Sequence, residues 1–374
     1  MDPALRQLRE QIIASPDDVG LRRVYADRLS ERGDPRGLFI QVQCELADAW
    51  LSAARRAELL DLESKLLFRN HANWIRPAVV ESPRHGQFVR GFLERWACRA
   101  KDFIARGNRV ARSTPLLELR LLQPRASHLE HVSRLRAFLN LRRLTLEGMT
   151  DWGSALLSPC EFTRLDHLRV VGKPRLEAGL FDLAFLRMSE TRWFSRLSSF
   201  EMEMPMSPAF GAAVGNSPAM RSLKRLVLLG GLTRTLCPEA PAPALESLEV
   251  ELFDDPLPLL SLFAAAPKLR AVTVRAAIAS NYLRARRATP AAVLLRTFEG
   301  LPRTTQTFTL WNAALDEECI EALIASPFPE LRLSHCRLTE DGLTRLGRRF
   351  PGLAHRGNYL VGMLDRAQAW LAGL

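Results

Sequence analysis

Seven histidines (His71, His85, His128, His131, His167, His335 and His355) are the first residues to test for chemistry. Only His128 and His131 stand three apart, a spacing that puts two imidazoles on one face of a helix, as a metal site would need. Glu130 between them would point elsewhere, and no H-E-x-x-H pattern accompanies them, so the pair reads as surface. Six cysteines (Cys44, Cys98, Cys160, Cys237, Cys319, Cys336) are dispersed and never form C-x-x-C. That spread argues for reduced, buried thiols rather than a zinc site or a disulfide framework. The chain has no G-x-x-x-x-G-K-[ST], no G-x-G-x-x-G after a strand and no G-x-S-x-G, and Gly211, Gly230 and Gly231 read as turn glycines. No catalytic residue, metal ligand or cofactor site is expected, so the sequence reads as a non-enzyme.

What remains is recognition, and a recurring phrase carries it. Apolar-x-x-apolar-x-apolar occurs as Leu116/Leu119/Leu121, Leu141/Leu144/Leu146, Leu165/Leu168/Val170, Leu197/Phe200/Met202, Leu223/Leu226/Leu228, Leu245/Leu248/Val250 and Leu269/Val272/Val274. Weaker copies follow at Thr305/Phe308/Leu310 and Phe328/Leu331/Leu333. Alternation inside each phrase predicts a strand with one face in the core, and repetition predicts parallel strands stacked along one edge. Helical return segments are expected at 179–190, 257–265, 290–299 and 340–349. Most intervals between copies fall in the 20–29-residue window of leucine-rich repeats.

The last copy is the most regular: Leu331, Leu333, Cys336 and Leu338, then Thr339, Gly342, Leu343 and Leu346. It resembles the ribonuclease-inhibitor type of leucine-rich repeat, in which a helix follows each strand and Cys or Asn turns the chain inward. Met149 holds the corresponding turn position in the second copy, so the repeats are degenerate.

The same alternation predicts the residues facing outward along the concave side. These are Glu118 and Arg120; Arg143, Thr145 and Glu147; His167 and Arg169; Ser199, Glu201 and Glu203; and Val227 and Leu229. The row continues with Ser247, Glu249 and Glu251; Thr273 and Arg275; Thr309 and Trp311; and Arg332 and Ser334. Its early strands are mainly basic and its middle ones acidic, with Val227 and Leu229 as an apolar step and Trp311 as an aromatic anchor. Such a mixture suits a protein interface. The partner-binding set expected here is Arg120, Arg143, Glu147, Arg169, Glu201, Glu203, Val227, Leu229, Glu249, Glu251, Arg275, Trp311 and Arg332.

A different register opens the chain. Ser15-Pro16-Asp17-Asp18 reads as a helix start, with Ser15 as N-cap and Pro16 at the first helical position. Val24, Tyr25 and Leu29 recur at helical spacing and Gly33 supplies a left-handed exit. Further helices are expected over Gly37 to Trp50 and, capped by Ser52, through Leu67. Gln87 to Trp96 has strand composition and residues 100–107 read as a short helix. The acids Asp17, Asp18, Asp27, Glu31 and Asp34 lie near Arg22, Arg23, Arg32 and Arg36, which predicts an ion-pair lattice between two helices or a docking surface.

The order Ile13-Ala14-Ser15-Pro16-Asp17-Asp18, Arg23-Val24-Tyr25-Ala26-Asp27-Arg28-Leu29, Glu31-Arg32-Gly33-Asp34-Pro35-Arg36-Gly37 and Phe39-Ile40-Gln41-Val42-Gln43 resembles the bacterial repeat-companion domain. That module is found ahead of repeat arrays; the resemblance implies architecture and no catalytic residue. Arg28 stands where the family usually has Trp, and Leu38 where it usually has Glu.

Length and charge frame these readings. At 374 residues the chain exceeds one compact core. Its apolar stretches are too short for a membrane span, its start does not read as a secretion signal, and a cytoplasmic location is expected. The net charge of +11 comes with only five lysines (Lys65, Lys101, Lys173, Lys224, Lys268) and is diffuse, so it marks no nucleic-acid groove. The expected fold is α/β: an all-α repeat-companion module over 1–80, a cap over 81–115, a solenoid of about nine repeats over 116–350 and a C-terminal cap over 351–374. The expected function is a protein–protein interaction scaffold, monomeric without its partner. One alternative is a nucleic-acid binder using Arg134, Arg136, Arg142 and Arg143 or Arg284, Arg286 and Arg287. Another is an enzyme inhibitor or regulatory subunit.

Overall fold

The structure, a computed structural model, describes residues 2–75, 86–149, 157, 160–172, 187–204, 208–229, 241–252, 255–276, 289–356 and 359–360. The chain divides into two units, residues 1–149 with 159–165, and residues 150–158 with 166–374. The segments 1–80 and 81–115 and the first two repeat phrases all fall in the first unit.

Four helices open that unit: α1 (Pro3–Ala14), α2 (Val19–Ser30), α3 (Pro35–Leu46) and α4 (Ala53–Ile75). Their caps follow side-chain chemistry. Asp2 accepts from the Ala4 amide, Asp34 from Arg36 and Ser52 from Arg55, with proline early in α1 and α3. The start of α2 corrects the sequence expectation. Asp18, not Ser15, is its N-cap, accepting from the Leu21 amide at 3.0 Å. Ser15 instead ends α1, donating its amide to Gln11, so Ser15-Pro16-Asp17 is the turn between two helices. Gly33, at φ +68°, is the left-handed residue between α2 and α3.

A hairpin follows, β1 (Gly86–Val89) antiparallel to β2 (Phe92–Arg99). Arg90 and Gly91 both have positive φ, as a tight two-residue connection with right-handed strand twist requires. Gly91 lies so close to α3 that a Cβ there would sit 2.0 Å from the Ile40 side chain. Gln43 of α3 holds the turn, accepting from the Gly91 amide at 2.6 Å and donating to the Phe88 carbonyl at 3.3 Å. Phe92 is buried between the guanidiniums of Arg22 and Arg36, each 5.3 Å from its ring centre.

Beyond the hairpin, α5 (Ala100–Ser113) runs longer than expected and leads to β3 (Glu118–Leu122), α6 (Ala126–Val132), α7 (Arg136–Leu139) and β4 (Arg143–Met149). Strands β2, β3 and β4 are parallel neighbours in register. Trp96, Phe103, Phe138 and Phe162 form a line of touching rings in this core.

The second unit contains β5 (His167–Gly172), β6 (Ser199–Glu203), α8 (Pro208–Asn216), β7 (Arg225–Leu229), β8 (Ser247–Leu252), α9 (Leu257–Ala265) and β9 (Ala271–Ala276). It continues through α10 (Ala291–Glu299), β10 (Thr307–Trp311), α11 (Glu317–Ala325), β11 (Glu330–Ser334), β12 (Arg337–Leu338), α12 (Glu340–Arg349), β13 (Ala354–Arg356) and β14 (Tyr359–Leu360). Strands β5 to β11 pair in chain order, all parallel, and β13 extends the sheet beside β11. Every one of the nine sequence phrases thus corresponds to a strand, β3 to β11, and its three marker residues are buried in each case.

The backbone repeats too. At the start of β7 the amides of Lys224 and Arg225 both donate to the Ser198 carbonyl. Glu246 and Ser247 donate to Lys224, Arg270 and Ala271 to Glu246, and Gln306 and Thr307 to Arg270. One carbonyl therefore fixes the offset of each coil on the one before it. Return helices appear at α9, α10 and α12 where the spacing predicts them; the expected one at 179–190 lies mostly outside the described residues. Cys336 is buried with its Sγ 3.4 Å from the Leu310 carbonyl, the turning position assigned from sequence.

Among the described residues no helix is long and apolar enough to cross a membrane, and no group of three His, Cys, Asp or Glu could hold a metal ion. Cys44, Cys98, Cys160, Cys319 and Cys336 are buried and form no disulfide. Burial pushes the Cys160 and Cys319 thiols up to about 12 and raises the other three, so all five stay protonated and un-nucleophilic near neutral pH. Cys237 lies outside the described residues.

Candidate binding face

Strand alternation leaves one row of side chains facing away from the core of the second unit, and in-register pairing puts them side by side. Arg169 of β5 is opposite Glu201 of β6, which is opposite Val227 of β7, Glu249 of β8 and Thr273 of β9. One position further along, Glu251 neighbours Arg275, and Arg275 neighbours Trp311 of β10, itself beside Ser334 of β11.

The acids expected to form a negative patch are threaded by arginines. Arg169 lies 2.6 Å from Glu203 and 3.4 Å from Glu201. Arg225 reaches Glu201 at 2.9 Å on one side and Glu249 at 3.7 Å on the other, spanning the strand that separates them. Glu249 also receives Arg275 at 2.5 Å. Arg275 then lies over the Trp311 ring, 5.1 Å from its centre, and Trp311 meets the His335 ring at 5.6 Å. A continuous run of alternating charge therefore crosses β5 to β9 and ends on an aromatic pair, Trp311 of β10 and His335 just past β11. Glu201 is buried under this lattice, while Glu203, Glu249, Arg275 and Trp311 are half-buried.

Val227 and Leu229 occupy the predicted apolar step, but at 2% and 8% exposure they are core-like, and Arg225 is the exposed residue of that strand. Arg225 was missed from sequence, although it holds the same offset as Glu118 and Arg143 in their phrases. Glu330 was missed for the same reason. It receives Arg332 at 2.7 Å and Thr307 at 2.9 Å, and these hydrogen bonds hold its carboxyl below the ordinary glutamate range. The first unit carries a smaller version. Arg120 pairs with Glu147, and Glu118 receives Arg95 at 3.2 Å with Arg143 at 4.0 Å.

The amino-terminal cluster also pairs differently from the local lattice expected. Among the described residues, the one ion pair within residues 17–36 joins Glu31 to Arg28, which lies outside the expected set of arginines. Arg32 goes to Asp2, Asp27 accepts from Gln41, and Asp17 receives Arg142 at 2.5 Å, 125 residues away. Those hydrogen bonds from Arg142 lower the Asp17 carboxyl below the ordinary aspartate value of 3.8. The contribution of Asp17 to stability is thus present above that value and lost as pH falls through the lowered one. The stability difference between wild type and Asp17→Asn, measured by urea unfolding across pH 2–6, is expected to be small and constant at the upper end and to vanish at the lower; a difference that persists undiminished at the lowest pH would refute the assignment. Asp17 is mostly exposed, so the effect remains small.

No protein-family model matches the chain, and no curated protein matches it significantly.

Proposed function

We propose that this chain is a non-catalytic interaction scaffold: a degenerate leucine-rich-repeat array, opened by a repeat-companion module, that binds a protein through the outward row of its second unit. The carrying observation is the run from Arg169 to Trp311, in which charges of both signs are held in fixed geometry beside a half-buried indole. A preordered surface of this kind loses little side-chain freedom on binding, and an aromatic with an arginine stacked on it is the usual composition of an energetic anchor. The signs on the row nearly balance, so it offers no sustained attraction to a polyanion. Protein recognition by short-range complementarity fits it better than nucleic-acid binding.

The test is affinity capture from the native cell followed by mass spectrometry, comparing wild type with Trp311→Ala and with the charge reversal of Glu201, Glu203, Glu249 and Glu251 to Lys. A partner that docks on this row should be lost from both variants, with Trp311→Ala weakening the purified complex by about 2 kcal/mol or more. Unchanged capture by both variants would place the interface elsewhere. Retention of the wild type on immobilised DNA or RNA at physiological salt would favour the nucleic-acid alternative instead.

A further inference from the structure

The arginines of the outward rows are matched by carboxylates, whereas three that share one groove of the first unit are not. Arg9 of α1, Arg112 of α5 and Arg136 of α7 line one groove of about 520 Å3, and among the described residues none of them has a hydrogen-bond or ion-pair partner. The Nε of Arg9 is shut away from solvent with nothing to receive its proton. Some arginines of this unit meet acids, as Arg22, Arg32, Arg55, Arg120 and Arg142 do, while others, such as Arg23 and Arg69, stand singly on exposed helix faces; Arg9, Arg112 and Arg136 differ in sharing one groove. Three arginines without acid partners, brought to the lining of one groove by helices whose residues lie up to 127 positions apart in sequence, give it a local excess of positive charge.

We propose that this groove docks an acidic segment of a protein partner. Charge sets the sign of the occupant: among the described lining residues three arginines face one carboxylate, Glu10, and the groove continues past Asn140 to a fourth arginine, Arg164. Chemistry sets its class. Its apolar lining comes from Ile13, Ala111 and Ala137, against which the methylene stems of a peptide's side chains can pack. Asn108 accepts from the Ala137 amide through Oδ1 at 3.3 Å, which leaves its NH2 group to donate to a peptide carbonyl. Among the described residues no aromatic lines the groove, so bases would find nothing to stack on, and Glu10 would repel a phosphate backbone while accepting a peptide N–H. Arginine forks match carboxylates two bonds at a time, which favours Asp and Glu side chains as the docking groups.

The probe is a fluorescein-labelled peptide of repeating Glu-Glu-Leu-Asp, titrated with the full chain and followed by fluorescence anisotropy over a salt series. Oligo-dT of similar length serves as the competing polyanion. Arg112→Glu with Arg136→Glu is expected to weaken peptide binding by about tenfold or more, since both residues are exposed and contribute charge directly. Arg23→Glu with Arg69→Glu, the same charge change on exposed sites of α2 and α4, should leave it within about twofold. Arg112→Gln with Arg136→Gln, which keeps the stems and adds no repulsion, should still lose about threefold, so a misfolded reversal variant would not leave the question open. No peptide binding by the wild type, equal losses in both reversal pairs, or tighter binding of oligo-dT with the same dependence on Arg112 and Arg136 would each overturn the proposal. The readout involves no residue of the second unit, so its failure is independent of the outward-row reading.

Discussion

Glu94→Ala is expected to destabilise the first unit by about 3–5 kcal/mol, because it leaves a buried guanidinium without its counter-charge. Arg22 is fully buried and uses every face of its fork: Nη2 meets Glu94 at 2.5 Å and the Pro16 carbonyl, Nε reaches Pro16 at 3.1 Å, and Nη1 reaches the carbonyls of Val89 and Arg90 at 3.0 and 3.2 Å. One side chain on α2 thereby fixes the α1–α2 turn and the hairpin turn together. Arg22→Met is expected to cost a similar amount for a different reason, since it orphans three carbonyls as well as the carboxylate. Glu94→Gln keeps an acceptor and should cost about 1–2 kcal/mol. Burial pushes the Glu94 carboxyl up against the opposing pull of Arg22. By linkage, ionising Glu94 costs the fold stability as pH rises through the raised value, so Glu94 does not drive acid unfolding, and the loss in Glu94→Ala comes from the buried guanidinium left without an acceptor. Guanidinium denaturation of the three variants checks this ordering; a loss below about 1 kcal/mol for Glu94→Ala would mean that the pair is solvated and does not hold the hairpin.

That pair also shows where sequence reading stops. Helices α2 to α4 and the strands of the nine phrases were legible because their signals are local: capping side chains, a glycine exit, apolar residues at fixed offsets. The partner of Arg22 was not, since Asp17, Asp18 and Asp27 stand nearer in sequence and nothing in the spacing favours an acid 72 positions away. The N-cap of α2 was misplaced because Ser15-Pro16 and Asp18 are competing start signals, and α1 running to Ala14 removes the first of them. On the outward row, offsets identified Arg169, Glu201, Glu249, Arg275 and Trp311 as neighbours, since parallel in-register strands turn equal phrase positions into adjacent side chains. What offsets could not give was the pairing. An acidic strip read strand by strand becomes a neutralised lattice once Arg225, from the same offset, reaches across Val227 to both Glu201 and Glu249. The groove of Arg9, Arg112 and Arg136 had no sequence signal beyond an excess of arginine, because it exists only where three helices meet.

Phe308→Ala is expected to be the most damaging substitution in the second unit, at about 3–5 kcal/mol. Phe308 of β10 is fully buried, with Phe298 of α10 at 5.7 Å edge-on and Phe328 at 5.3 Å; Phe328 in turn stacks on Phe350 at 5.4 Å. These four rings come from successive coils, so an alanine opens a cavity at a core contact through which each coil supports the next. Phe328 cannot move inward without abandoning Phe350, which limits relaxation and keeps the cost near the upper end of the range. In a repeat array stability is roughly a sum of coil and neighbour terms, so the damage should propagate outward rather than unfold everything at once. Hydrogen exchange should show protection falling first in β9, β10 and β11, while β5 to β7 retain theirs, and denaturation should broaden away from a single transition. Phe308→Leu fills most of the space and should recover more than half of the loss. Protection that drops equally from β5 to β11 would mean that the unit unfolds as one block, and that the stacked-coil account of its stability is wrong.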